Sequence, residues 1–224
     1  MILVNKKLLI FDLDGTLSDT IGAIAEAVNL TLASFSYPQK SEEQVRRAVG
    51  NGARMIINRL MPEECAENEK MVSEALCKYN EMYGTTYLHT TEMYDGVRDM
   101  ILELAKKGFR IAVYSNKQDA YVKGLVSMYF PNGEVCVARG QTDIPIKPDP
   151  MGVNIILDEL GVSASESVFV GDSGVDLKTA QNSGMDFIGV AWGFCGRRML
   201  SDLGAEIIVD HPSEILRLLL NSNY

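Results

Sequence analysis

Six short apolar runs limit what this chain can fold into more than any other feature of it. They fall at 8–13, 110–114, 135–137, 168–170, 187–190 and 207–209. None shows the in-out alternation of a half-exposed strand, so they read as strands buried on both faces. Between most of them lie segments of helical pattern, at 96–107, 120–129, 151–160, 174–183 and 212–220. That alternation predicts an α/β fold, a Rossmann-like parallel sheet core with helices on both faces.

Residues 20–89 break the rhythm because they contain no convincing strand. Ile21, Ile24, Ala25 and Val28 share a helical face, Ser41 and Gln44 have the spacing of a capping box, and 63–83 is a long helix-prone run. A crossover between parallel strands takes only about thirty residues. The excess therefore reads as an inserted helical cap domain, residues 19–89, over a core domain built from 1–18 and 90–224.

A formal net charge of −9 argues against a surface that neutralises nucleic-acid or lipid phosphates. Any phosphate chemistry must sit in a local site. The first apolar run is cut by Asp12 and Asp14, too soon for a signal segment or a membrane span, so a cytoplasmic, untethered protein is expected. Cys65, Cys77, Cys136 and Cys195 lack metal-ligand spacing and read as reduced, mostly buried thiols. His89 and His211 stand beside no nucleophile, which disfavours a His-dependent triad.

In an open parallel sheet, ligands bind beyond the carboxyl ends of the strands. Three of the runs end in reactive polar residues: Asp12 and Asp14, then Ser115 and Asn116, then Asp172. Gathering Asp12, Asp14, Asp172 and Asp176 on one rim concentrates negative charge, which calls for a cation. A hard, oxygen-binding ion such as Mg²⁺ suits so small a carboxylate set. Lys147, in a proline-stiffened loop, supplies an ammonium able to hold both a phosphate and the attacking carboxylate. The helix expected after Asn116, at 120–129, would aim its N-terminal N–H groups at the same place.

In order and spacing, Asp12-Leu13-Asp14-Gly15-Thr16-Leu17, Ser115-Asn116-Lys117, Lys147-Pro148 and Gly171-Asp172-Ser173-Gly174-Val175-Asp176 resemble the four motifs of haloacid dehalogenase-like phosphatases. Phosphoglycolate phosphatase-like members are resembled further in Gly50-Asn51-Gly52-Ala53-Arg54 and in Trp192-Gly193-Phe194. Ser115 stands where many members carry Thr, which keeps the hydroxyl.

The resemblance implies a Mg²⁺-dependent phosphoric monoester hydrolase acting on a small phosphorylated metabolite, as a monomer or homodimer. Asp12 would be the nucleophile and Asp14 the acid and base. Ser115, Asn116 and Lys147 would hold the phosphate. Asp12, the Asp14 backbone carbonyl and Asp172 would hold the metal, with Asp176 behind them, and Asn51 and Arg54 of the cap would meet the leaving group. Two rivals remain: a sugar phosphomutase of the same family, which Asp12 and Asp14 would serve equally, and a receiver-like switch in which a strand-end aspartate accepts phosphate, which needs neither Asp14 as acid and base nor the helical cap.

Overall fold

The computed structural model describes residue 3 and residues 5–220. The chain divides into two compact units, one spanning Asp19–Glu92 and the other comprising the rest of the described chain. From the N-terminus, β1 (Leu8–Phe11) and β2 (Ser18–Asp19) lead to five helices: α1 (Ile21–Ser34), α2 (Glu42–Ala48), α3 (Ala53–Leu60), α4 (Glu63–Ala66) and α5 (Glu69–Thr86). Next come β3 (Glu92–Met93), α6 (Val97–Lys106), β4 (Arg110–Gln118), α7 (Asp119–Tyr129), β5 (Val137–Gln141) and α8 (Met151–Leu160). The chain continues through β6 (Ser167–Gly171), α9 (Gly174–Asn182), β7 (Asp186–Val190), α10 (Gly196–Asp202), β8 (Ile208–Val209) and α11 (Pro212–Leu220).

The main sheet has six parallel strands in the order β5-β4-β1-β6-β7-β8. β2 and β3 form a separate sheet of two short strands. The chain builds from β1 outward to β4 and β5, then returns to the other side of β1 with β6, β7 and β8. Ligand crevices form at such reversals. Register levels the strand ends there: Phe11 lies opposite Val113 on one side and Val170 on the other.

Leu8, Leu9, Ile10 and Phe11 are all fully buried, because β1 is central and covered on both faces. Leu8, Ile10, Ala112, Tyr114 and Phe169 pack on one face against Val153, Ile156 and Leu157 of α8 and Leu177 and Ala180 of α9. Each large apolar side chain so buried is worth roughly 1.5–3 kcal/mol relative to exposure. β1 is thus a stiff support for whatever follows Phe11.

In the helical unit, Ile24, Val28, Leu32, Val45, Ile57, Val72, Ala75, Tyr79 and Tyr83 are buried. The capping box of Ser41 and Gln44 is formed at the start of α2. The run at 63–83 is not one helix. It breaks into α4 and α5, and the Asn68 side chain accepts from the N–H groups of Lys70 and Met71 to start the second. The cysteines also differ from expectation: Cys65 is buried, but Cys77 and Cys136 are exposed and Cys195 is intermediate. On α5 the buried positions 72, 75, 79, 83 and 86 form the inner stripe, and residue 77 falls outside it. Among the described residues no helix is long and apolar enough to cross a membrane.

Candidate active site

Directly beyond β1, the Asp12 N–H donates to the carbonyl of Val170 at 2.9 Å, fixing the first residue of the rim to β6. Carboxylate oxygens of Asp12, Asp172 and Asp176 lie within 4.8 Å of one another, all buried. A buried ammonium reaches into this nest. Lys147 Nζ lies 2.8 Å from Asp12 Oδ1 and 2.7 Å from Asp176 Oδ1, with its side chain only 2% exposed. Its Nζ also sits 5.5 Å from the centre of the Phe169 ring and 5.9 Å from that of Tyr114. Those ring faces favour a cation while excluding water.

The placement of Lys147 depends on Asn116. The Lys147 N–H donates to Asn116 Oδ1 at 2.8 Å, and Asn116 Nδ2 donates back to the Lys147 carbonyl at 3.0 Å. The loop carrying the lysine is thereby fastened to β4, next to β1. Ser115 is buried and its Oγ accepts from the Lys117 N–H at 3.3 Å. Asp176 is held just as firmly: its Oδ2 accepts from Ser173 Oγ at 2.6 Å and from the Ser173 N–H at 3.1 Å, in the capping box that opens α9. Both Asp176 oxygens are thus engaged by protein donors, which suits a supporting place behind the other two carboxylates.

Asp172 is oriented from a different loop. The Phe194 N–H donates to Asp172 Oδ2 at 2.7 Å, and Trp192 Nε1 donates to the carbonyl of Thr16 at 3.0 Å. The turn at 192–194 thus ties the loop after β1 to the carboxylate after β6. Only glycine fits between these anchors: a Cβ at Gly193 would stand 2.2 Å from the Gly15 carbonyl oxygen and 2.3 Å from Asp172 Cβ. Gly15, at φ +82, has the same constraint, its Cβ site lying 2.5 Å from Asp172 Oδ2. Gly193→Ala is expected to weaken divalent-cation binding by at least about tenfold, the usual cost of disturbing a group that orients a ligand. Calorimetric titration with Mg²⁺ checks this, and unchanged affinity would show that the turn does not set Asp172.

Electrostatics make the nest unusual. Burial pushes the Asp12 carboxyl up to about 7; Lys147 opposes the shift, and the charges of Asp176 and Asp14 add to it. Burial likewise raises Asp172 well above the carboxylate range, helped by Asp176 and Asp12. Burial alone would lower the Lys147 pKa, but Asp12 and Asp176 outweigh it and hold the ammonium charged. Lys147 touches two of the three carboxylates and offsets only part of their charge. A divalent ion bound by oxygen ligands would supply the missing charge, and Asp12 and Asp172, each with its carboxylate in the nest, fit such an ion.

Asp14 has an ammonium of its own. Its Oδ1 takes the Lys117 ammonium at 2.6 Å, with both side chains largely buried. Sequence reasoning singled out Asp14 but not Lys117. The cause is the end of the strand: the apolar run was read as stopping at Tyr114, whereas β4 continues through Gln118, and α7 begins at Asp119, one residue before the helical pattern read at 120–129. The Ser115 and Asn116 side chains therefore do not cap α7, whose N-cap residue Gln118 makes no side-chain capping bond. In the helical unit, Arg54 pairs with Glu69 at 2.5 Å, and Asn51 Oδ1 accepts from Arg59 at 2.8 Å.

Comparison with known proteins gives a consistent result. The family model described as haloacid dehalogenase-like hydrolase matches residues 9–190. The phosphoglycolate phosphatase of Vibrio parahaemolyticus is 31% identical over 221 residues, covering 95% of this chain and 95% of that one. That of Vibrio cholerae is also 31% identical, covering 96% of this chain and 98% of its own. Among solved structures, a protein from Lactobacillus delbrueckii subsp. bulgaricus, provisionally named a phosphoglycolate phosphatase, matches with a TM-score of 0.89 at 28% identity, over 96% of this chain and 99% of that one.

Proposed function

The chain belongs to the haloacid dehalogenase-like hydrolase family and is a phosphatase, and on that premise we propose that it hydrolyses a small phosphate monoester through an aspartyl-phosphate on Asp12. The observation that carries this reading is Lys147 held against Asp12 at 2.8 Å within a buried nest of carboxylates at the carboxyl end of the central strand. A lysine so placed orients the nucleophile and faces the phosphoryl group that it attacks. 2-Phosphoglycolate is the first candidate substrate, because relatives aligned over nearly their whole length act on it by name.

Asp12 attacks the phosphorus in line with the leaving oxygen, forming a P–O bond to its carboxylate. Asp14 gives its proton to the departing alkoxide and then takes one from the water that cleaves the aspartyl-phosphate. Lys147, the Ser115 hydroxyl and the Asn116 N–H stabilise negative charge on the transferring phosphoryl oxygens, in a setting dry enough to make such charges count. Asp12, Asp172 and the Asp14 carbonyl would hold Mg²⁺, with Asp176 fixing Lys147 behind them. When bound, the ion supplies Lewis-acid neutralisation of phosphate and carboxylate charge.

A phosphate-release screen over a panel of monoesters, with and without Mg²⁺, tests the proposal. The expected result is Mg²⁺-dependent release, abolished by chelation, with 2-phosphoglycolate among the best substrates. Release that requires a bisphosphate activator would favour a mutase. A single stoichiometric phosphorylation without turnover would favour a switch.

A further inference from the structure

The ion pair between Lys117 and Asp14 has no part in the scheme above, yet it touches the residue to which that scheme gives every proton transfer. Lys117 Nζ lies 2.6 Å from Asp14 Oδ1 across 103 residues of sequence, with side-chain exposures of 7% and 13%. Burial to that degree makes a charge-assisted bond strong and its geometry costly to change. The backbone of the same lysine donates to Ser115 Oγ. One residue at the end of β4 therefore touches both the acid and base group and the hydroxyl assigned to the phosphate. It reaches them because β4 stays extended as far as Gln118.

Lys117 is also distinct from Lys147 in what it serves. Lys147 is shared between Asp12 and Asp176 in the carboxylate nest, whereas Lys117 pairs with Asp14. We propose that Lys117 is a positioning residue for leaving-group protonation: it fixes the rotamer of Asp14 so that Oδ2 carries the proton to the departing oxygen. This rests on the reading of Asp14 as acid and base. With Oδ1 engaged by the ammonium, the Oδ2–H bond breaks as the leaving oxygen gains its proton, while the phosphorus moves from that oxygen to Asp12. In the second half, Oδ2 takes a proton from water as the water oxygen bonds to phosphorus and the Asp12–phosphorus bond breaks.

The consequence is selective. A poor leaving group, such as the alkoxide of an alkyl phosphate, needs its proton in the transition state, whereas 4-nitrophenolate departs without one. For Lys117→Met, the ratio of kcat/KM on the best alkyl monoester of the panel to that on 4-nitrophenyl phosphate is expected to fall at least about tenfold, within the range that general acid catalysis commands. Lys117→Arg, which keeps a cationic donor, is expected to recover part of that ratio. Because both substrates are read in one sample, partial unfolding cancels from the ratio.

An unchanged ratio would overturn the proposal, whether both activities fall together or neither falls. So would a change confined to KM for the alkyl substrate, which would make Lys117 a substrate contact. Asp14→Asn, run in parallel, separates the two levels. If it too leaves the ratio unchanged, the assignment of Asp14 as the acid fails and the role of Lys117 with it; if it lowers the ratio while Lys117→Met does not, only the positioning role fails.

Discussion

Asp12→Asn is expected to abolish phosphate release, by roughly 10⁴-fold or more, while leaving the protein folded. The amide is nearly isosteric with the carboxylate but cannot form the acyl-phosphate. Its effect on stability should have the opposite sign to its effect on activity. Burial holds the Asp12 carboxyl at about 7 against an ordinary value of 3.8, so ionising it costs folding free energy. Between those two values the folded chain binds more protons than the unfolded one, and stability falls as pH rises through the window. Thermal melts of chelated protein from pH 4 to pH 8 should show that slope, and Asp12→Asn should flatten it and melt higher at pH 8. A variant that still releases phosphate would remove Asp12 as nucleophile. A variant that melts lower at pH 8 would show that the Lys147 contact outweighs the cost of burying the charge.

How much of this was legible in sequence depended on whether local pattern or long-range pairing decided the matter. The central strand was readable because Leu8 to Phe11 is apolar on both faces and ends abruptly at Asp12. Asp172 was readable for the same reason after β6, and the structure brings both to one rim with Lys147. β5 was harder. It runs Val137–Gln141, shifted from the apolar run at 135–137, because an edge strand tolerates Arg139 and Gln141 where a central one would not. The break between α4 and α5 was visible in principle, since Asn68 before Glu69 is a capping signal inside a helix-prone run.

Partnerships formed across the sheet were the least legible. Asn116 has the look of a turn residue or cap, and nothing local shows that its amide fastens the backbone of Lys147 thirty-one residues away. Lys117 falls within the Ser115-Asn116-Lys117 motif, but nothing local assigns its ammonium to Asp14. Its burial beside Asp14 follows only from β4 running two residues past Asn116, through a register irregularity between Tyr114 and Gln118. Gly193 is similar. Its necessity comes from Gly15 and Asp172, both distant in sequence, crowding the place where a Cβ would stand.

Lys147→Met should damage folding and chemistry together. It leaves Asp12, Asp172 and Asp176 within 4.8 Å of one another, with the ammonium that Asp12 and Asp176 shared removed. Removing one partner of a buried pair costs about 3–5 kcal/mol. For a chain of this size, that corresponds to a fall in melting temperature on the order of 10 °C. Turnover should drop about 10³-fold, since the lost charge also faced the transferring phosphoryl group. Adding Asp176→Asn should restore part of the lost melting temperature, because one carboxylate then no longer needs a counter-charge, but it should restore none of the turnover. Saturating Mg²⁺ should raise the melting temperature of the single variant more than that of the parent, because the uncompensated nest gains more from a cation. If the single variant melted with the parent at pH 8, above the value at which Asp12 titrates, Lys147 would not be the counter-charge that the folded nest requires.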